Sequence, residues 1–324
     1  SNKNLPLDVI EALAWGTNLE WGWEKHPPLS VFFPEVFYLI FGRQDWAYYL
    51  LSQIFIVTSF VVIFRLAKEF LKNEVNALLA VILLEAIYFY NFTTPEFNVN
   101  VCQIPFWSLT AYYCWQSFKD DKIKNWILLG LFGALGFLSK YLFVYLLIGL
   151  IIFFIYDFKK RKKFNFKYFI PIFVFSIVLL PHLLWLIDND YKTITYGIKR
   201  TSLESSNFSS HLIYPLKFII KQVGILVPFF VLLSLIISKF KFKFKLQDKK
   251  LVFLMSVTLV PILLMLLTSA TLGANIRTMW MAPFYLFFGL LFIYIFESKI
   301  NFSHSKKFII IYLFIFILSP VAYL

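Results

Sequence analysis

The sequence predicts an all-α, polytopic integral membrane protein. Three observations carry that reading. The 324 residues are 60% hydrophobic, with a mean hydropathy of +0.74, more apolar surface than a chain of this length hides from water. Apolar runs close to the thickness of a bilayer recur along the whole chain. The basic residues behind the net charge of +13 gather in short stretches between those runs, as the positive-inside rule places cytoplasmic loops. That pattern accounts for the charge without a nucleic-acid partner.

The apolar runs place about ten spans at 46–66, 75–92, 97–117, 125–139, 141–157, 168–187, 212–238, 251–269, 280–297 and 308–324. A straight helix through 125–157 would be about 50 Å long, too long for one crossing, so a turn is expected at Lys140. Residues 1–18 lack the basic start and apolar core of a signal peptide. Cys102 and Cys114 lie within one apolar run at a spacing that suits neither zinc nor a redox pair, so both read as packing residues.

The loops sort by charge. "RLAKEFLKNE" (65–74), "KDDKIK" (119–124), "DFKKRKKFNFK" (157–167), "KFKFKFKLQDKK" (239–250) and "ESKINFSHSKK" (297–307) are basic and fall at alternate span ends, hence cytoplasmic. Residues 1–45, "TTPEFN" (93–98), "SKY" (139–141), 188–210 and "LGANIRTMW" (272–280) carry polar residues of mixed sign and share the opposite, outer face.

Four pieces of that face hold the candidate chemistry. In "LDVIEALAWG", Asp8, Glu11 and Trp15 fall on one helical face and Leu7, Ile10, Leu13 and Ala14 on the other. This reads as an interfacial helix with Trp15, Trp21 and Trp23 at headgroup depth, although acids that merely face water fit the same pattern. "KHPPL" is next. Pro27 and Pro28 force an extended strut that raises Lys25 and His26 above an apolar run. They serve there as phosphate contacts or as plain snorkelling cations. Glu96 in "TPEFN" stands at the start of a span, as a catalytic acid or as a helix N-terminal acid. Lys140, Lys199, Arg200 and Arg277 complete the set with Lys217 and Lys221. Snorkelling explains any one of them, but their shared side faces the carboxylates. Glu11, Glu96 and His26 also offer a divalent-metal set that the spacing does not require, so no cofactor is assigned.

Taken in order, "LDVIEALAWG…KHPPL", "TPEFN", "GALGFLSKY", "LPHLLWL" and "IRTMW" resemble the motifs of bacterial GT-C glycosyltransferases of the protein-mannosyltransferase-like family, relatives of the lipid A aminoarabinose transferases. The resemblance runs over nearly the whole chain. It implies a GT-C helical bundle with interfacial helices on the periplasmic side of the bacterial inner membrane. It also implies one transmembrane domain over 1–324, with 1–45 as the outer acidic loop, and with the family's preceding helix and tail domain absent. The donor it implies is a polyprenyl-phosphate sugar. The acceptor is an envelope molecule, a lipid A-like lipid first, or else a glycan or protein. The family's adjacent Asp-Glu pair is split here, because position 9 is Val. Asp8 has the family distance from His26, and Glu11 stands two residues beyond the expected partner, so either acid can be the base. Glu96 matches a position that is commonly Asp, and Lys140 matches the lysine of Ser-Lys-Tyr.

The chemistry agrees. A lipid phosphate is a good leaving group, so its departure needs cations rather than a general acid. One carboxylate to deprotonate the acceptor then suffices, and single displacement inverts the anomeric centre. Lys25, His26, Lys140, Lys199, Arg200 and Arg277 are the expected donor-phosphate contacts, and Asp8, Glu11 and Glu96 the catalytic acids. A solute transporter would need polar or broken helices near the membrane midplane. Glu85 is the clearest charged residue deep in a span, where a bond to a neighbouring helix is expected of it. A non-catalytic lipid-binding membrane protein is the other reading.

Overall fold

The computed structural model describes residues 5–162, 165–201, 207–240 and 247–323. Parts of the expected loops 1–45, 157–167, 188–210 and 239–250 lie outside the described residues. Those described are helical, with one isolated bridge between Ile237 and Ile300 and no strand.

The first 45 residues form two helices where the sequence suggested one. Helix α1 (Leu7–Gly16) buries Val9, Ala12 and Gly16, a stripe at i, i+3 and i+7. Its Leu7 and Ile10 are exposed, and Asp8 and Glu11 flank the buried stripe. Helix α2 (Leu29–Phe41) starts directly after the two prolines, whose missing N–H groups a helix start does not need. Gly42, at φ 68°, ends it.

The bundle follows: α3 (Asp45–Phe70), α4 (Glu74–Ile82), α5 (Tyr88–Asn91), α6 (Val99–Asp120), α7 (Ile123–Ser139), α8 (Val144–Arg161), α9 (Phe169–Asp188), α10 (Lys192–Arg200), α11 (Ser210–Ile236), α12 (Lys249–Leu272), α13 (Phe288–Phe296) and α14 (Ser305–Tyr323). Each expected span has helical counterparts. Among the described residues, six helices are long and apolar enough to cross a bilayer, and a pair bent by 47° (Thr278–Tyr285 with Phe288–Lys299) makes a seventh if counted as one span.

The three remaining expected spans differ for physical reasons. The 75–92 span breaks into α4, a 3-10 turn (Leu83–Ala86), an extended Ile87 and α5. Asn91 Nδ2 donates to the freed Glu85 carbonyl at 3.1 Å. Helix α6 is too polar to face lipid because it is the centre of the bundle, with Gln103, Ser108, Thr110 and Ser117 buried in protein. Helix α7 has 17 residues and stops at the expected turn, where Lys140 is extended.

Helix α6 packs on α3, α7 and the Thr278–Tyr285 turn; α7 packs on α9, α8 on α12, and α4 on α13. The fully buried Trp107 ring lies 5.4 Å from Phe143 and 5.0 Å from Phe284. Three helix crossings need glycine, one of them at Gly130, where a Cβ would stand 2.5 Å from the Pro171 carbonyl oxygen. A Cβ on Gly289 would stand 1.8 Å from the Ala80 carbonyl oxygen, and one on Gly149 2.3 Å from that of Ser256. Both cysteines are buried and free, as expected. At the basic end, the buried Asp157 pairs with Arg161 at 2.8 Å and Lys249 at 2.7 Å. That pairing compensates a charge that burial would otherwise penalise. The opposite, mixed-charge end carries α1, α10 and the cavity between them.

Candidate active site

Five short pieces of chain meet at the mixed-charge end and enclose a cavity of about 670 Å³. Helix α1 supplies Asp8 and Glu11, and the proline strut supplies Lys25 and His26. The α7–α8 turn supplies Lys140, α10 supplies Arg200, and the chain after α12 supplies Arg277. Seven of the nine residues singled out from sequence therefore share one cavity.

Two do not. Glu96 lies outside it, and its Oε1 accepts from the Tyr323 hydroxyl at 3.2 Å. Nor does it cap α6, because Asn98 does: its Oδ1 accepts from the Asn100 and Val101 N–H groups. Lys199 points to a different groove, on the other face of α10. With Glu96 turned away, the trio Glu11, Glu96 and His26 is not assembled, and no group of three metal-ligating side chains gathers among the described residues.

The strut is held by its backbone. The Trp21 carbonyl can only accept, so His182 Nδ1 carries the proton in their hydrogen bond. His182 Nε2 is then the acceptor, and the Tyr141 hydroxyl donates to it at 2.7 Å. Thr193 Oγ1 donates to the Trp23 carbonyl at 2.5 Å. The "LPHLLWL" and "SKY" motifs thus tie α9, the α7–α8 turn and α10 to the strut. Trp23 is buried and stacks on Trp15 at 6.2 Å, so it is a core residue of this cap, not the interfacial anchor expected.

The charges differ in their freedom. Lys25 is bound to Glu11 by an ion pair, and that hydrogen bond raises its pKa. Burial pushes His26 down to about 3, helped by Lys140, Lys25 and Arg200 nearby. It is therefore neutral at pH 7 rather than the cation expected. Burial also pushes the Lys140 ammonium down to about 7, with Asp8 pulling the other way. Lys140 Nζ donates to Asn100 Oδ1 and lies 5.4 Å from the Trp280 ring centre. Asp8 faces the open cavity. Burial and then the Glu11 charge raise its carboxyl above the ordinary value, against Lys140, Lys25 and Arg200. Arg200 and Arg277 are exposed at the rim.

Sequence reading missed Tyr196, which lines the cavity from α10. It also missed the role of Asn100, though "EFNVN" shows a pair of asparagines where a span begins. Among the described residues, the cavity joins a carboxylate to three cations, none of them in an ion pair, at the end of an apolar bundle. That arrangement can hold a phosphate at the membrane surface and accept a proton beside it.

Comparison with known proteins adds the following. Residues 25–185 match the family described as dolichyl-phosphate-mannose-protein mannosyltransferase. No curated protein matches the chain. The fold is similar to that of ArnT from Cupriavidus metallidurans bound to undecaprenyl phosphate. The TM-score is 0.67 and the identity 13%, over 94% of this chain and 58% of that one. For ArnT in the apo state the TM-score is 0.68 and the identity 11%, over 93% and 56% of the two chains. This chain thus spans a little over half the length of those structures, and at such identities the likeness is one of fold.

Proposed function

We propose that this chain is a GT-C glycosyltransferase of the protein-mannosyltransferase-like family, whose model its residues 25–185 match, and that it moves a sugar from a polyprenyl-phosphate donor to an envelope acceptor. The undecaprenyl phosphate bound by the structurally similar ArnT supports a donor of that class. The reaction is placed at the periplasmic face of a bacterial inner membrane, as the basic loops at the other end of the bundle favour. A lipid A-like lipid is the first acceptor class.

The observation that carries this reading is the single cavity shared by Asp8, Lys140, Arg200 and Arg277. The three cations hold the donor phosphate. As the acceptor hydroxyl oxygen attacks the anomeric carbon, the bond from that carbon to the phosphate oxygen breaks. Its electron pair leaves with the phosphate, and the cations stabilise the charge that develops there. Asp8 takes the hydroxyl proton. Attack opposite the leaving phosphate inverts the anomeric centre. Glu11 is occupied by Lys25, so it orders the strut rather than serving as the base.

Mass spectrometry of envelope lipids and glycans, from cells with and without the intact protein, tests this. A mass difference of one sugar is expected on one envelope component. Identical envelopes, with the donor lipid unconsumed, would remove the reading.

A further inference from the structure

Helix α10 is a partition between two cavities. Thr193, Gly197 and Arg200, spaced i, i+4 and i+7, face the reaction cavity. Lys192, Thr195 and Lys199, spaced i, i+3 and i+7, face a second groove of about 640 Å³. Tyr196 lines both. The reaction described above uses the first face only.

The second groove is open, and exposed charged side chains share its lining with Trp23 and Trp185. Its far wall is the strut residues Glu20 and Glu24 with the end of α9. Trp185 is fixed there, because its Nε1 donates to Glu20 Oε2 at 2.9 Å. The turn into α10 takes an unusual backbone: Asp190 and Tyr191 both adopt left-handed φ, at 51° and 54°, without glycine. The turn sets the direction of α10, and with it the width of the groove.

The two cavities differ in charge. The reaction cavity sets four cations (Lys25, Lys140, Arg200, Arg277) against two carboxylates (Asp8, Glu11). The groove sets two cations (Lys192, Lys199) against three carboxylates (Glu20, Glu24, Asp190). It therefore favours a phosphate less than the reaction cavity does. Carboxylates, an asparagine amide and ammonium groups interleaved with indole and phenol rings suit a neutral, hydroxyl-rich ligand. Hydroxyls donate to the acids and accept from the lysines, while flat ring faces cover C–H surface. The volume falls within the range of ligand sites.

We propose that the groove outside α10 binds the saccharide part of the acceptor and leads its accepting hydroxyl past Tyr196 into the reaction cavity. This rests on the glycosyltransferase reading and names the acceptor class: a glycan, free or carried on a lipid, rather than a polypeptide.

The test is photo-crosslinking of the full chain in cells, with p-benzoyl-L-phenylalanine in place of Lys199 in the groove, or of Ser238 at the basic end as control. Adducts at position 199 are expected to carry saccharide mass, lost in sugar-sized steps on fragmentation, and those at 238 none. An acyl chain on the same adduct marks a glycolipid, and its absence a free glycan. A peptide adduct, a phospholipid adduct without sugar, or no adduct at 199 would overturn the proposal. Thr195→Trp fills the groove and should lower the saccharide adduct at least tenfold, while undecaprenyl phosphate still raises the thermal midpoint of the purified protein. An undiminished adduct in that variant would also overturn it. A saccharide adduct in a protein that undecaprenyl phosphate does not stabilise would leave the groove standing and remove the donor reading instead.

Discussion

Asp8 and Glu11 lie one turn apart on α1, yet the surrounding bundle gives them different partners. Glu11 is held by Lys25, whereas Asp8 faces the cavity with Lys140 beside it. Asp8→Asn keeps the shape and removes the proton acceptor, so kcat should fall about 10²- to 10⁴-fold, roughly 3 to 5 kcal/mol in barrier, with donor affinity retained. Glu11→Gln should cost less in kcat. Steady-state kinetics of both variants decide, and the reverse order would make Glu11 the base. Lys140 supplies a pH prediction. Its pKa is lowered to about 7, so the ammonium is present below that pH and lost above it. Binding a phosphate above pH 7 must therefore take up a proton, and donor affinity should weaken with rising pH, by up to about tenfold per unit. Lys140→Arg stays charged and should flatten the curve. Undecaprenyl phosphate affinity that is level from about pH 7 to 9 in the natural chain would remove Lys140 as a phosphate contact.

At the scale of elements, the mixed-charge cap is a set of short helices and a strut tied by few bonds. His182 is its knot, because it joins α9 to the Trp21 carbonyl and the Tyr141 hydroxyl. His182→Ala orphans both partners, at about 1–3 kcal/mol each where water cannot replace the bond. Hydrogen exchange should then speed up at residues 19–28 and 192–200, while α3, α6 and α12 keep their protection. Equal acceleration throughout the bundle would mean that His182 supports the whole fold, not the cap. The break between α4 and α5 belongs to the same scale. Its carbonyl finds a partner in Asn91, a contact that hydropathy does not register.

For the whole molecule, the separation of charge between the two ends of the bundle predicts orientation. Ser209 and Ser238 flank α11, whose 27 residues span about 40 Å, and both are exposed. In a chain lacking Cys102 and Cys114, a single cysteine at 209 should react with an impermeant thiol reagent in intact cells. One at 238 should react only after permeabilisation. Labelling of both from one side would sink the proposed topology.

The sequence by itself determined that the chain is a helical membrane protein, where most of its long apolar helices run, and which residues share an end. Apolar length and loop charge are local, additive properties of consecutive residues. It also placed Asp8, Glu11, Lys25, His26, Lys140, Arg200 and Arg277 on one side, where the bundle gathers them. Only the tertiary structure decided which of them are free. Lys25 is spent on Glu11, His26 is neutral through burial, Glu96 turns to Tyr323, and Lys199 faces the outer groove. Each outcome depends on the partner that a distant segment brings within a few ångströms, and on the water it excludes. Helix α6 makes the same point, since its buried glutamines and serines are tolerated only because other helices surround it. Charge state, pairing and the facing of a helix are properties of that packing, which no window of consecutive residues contains.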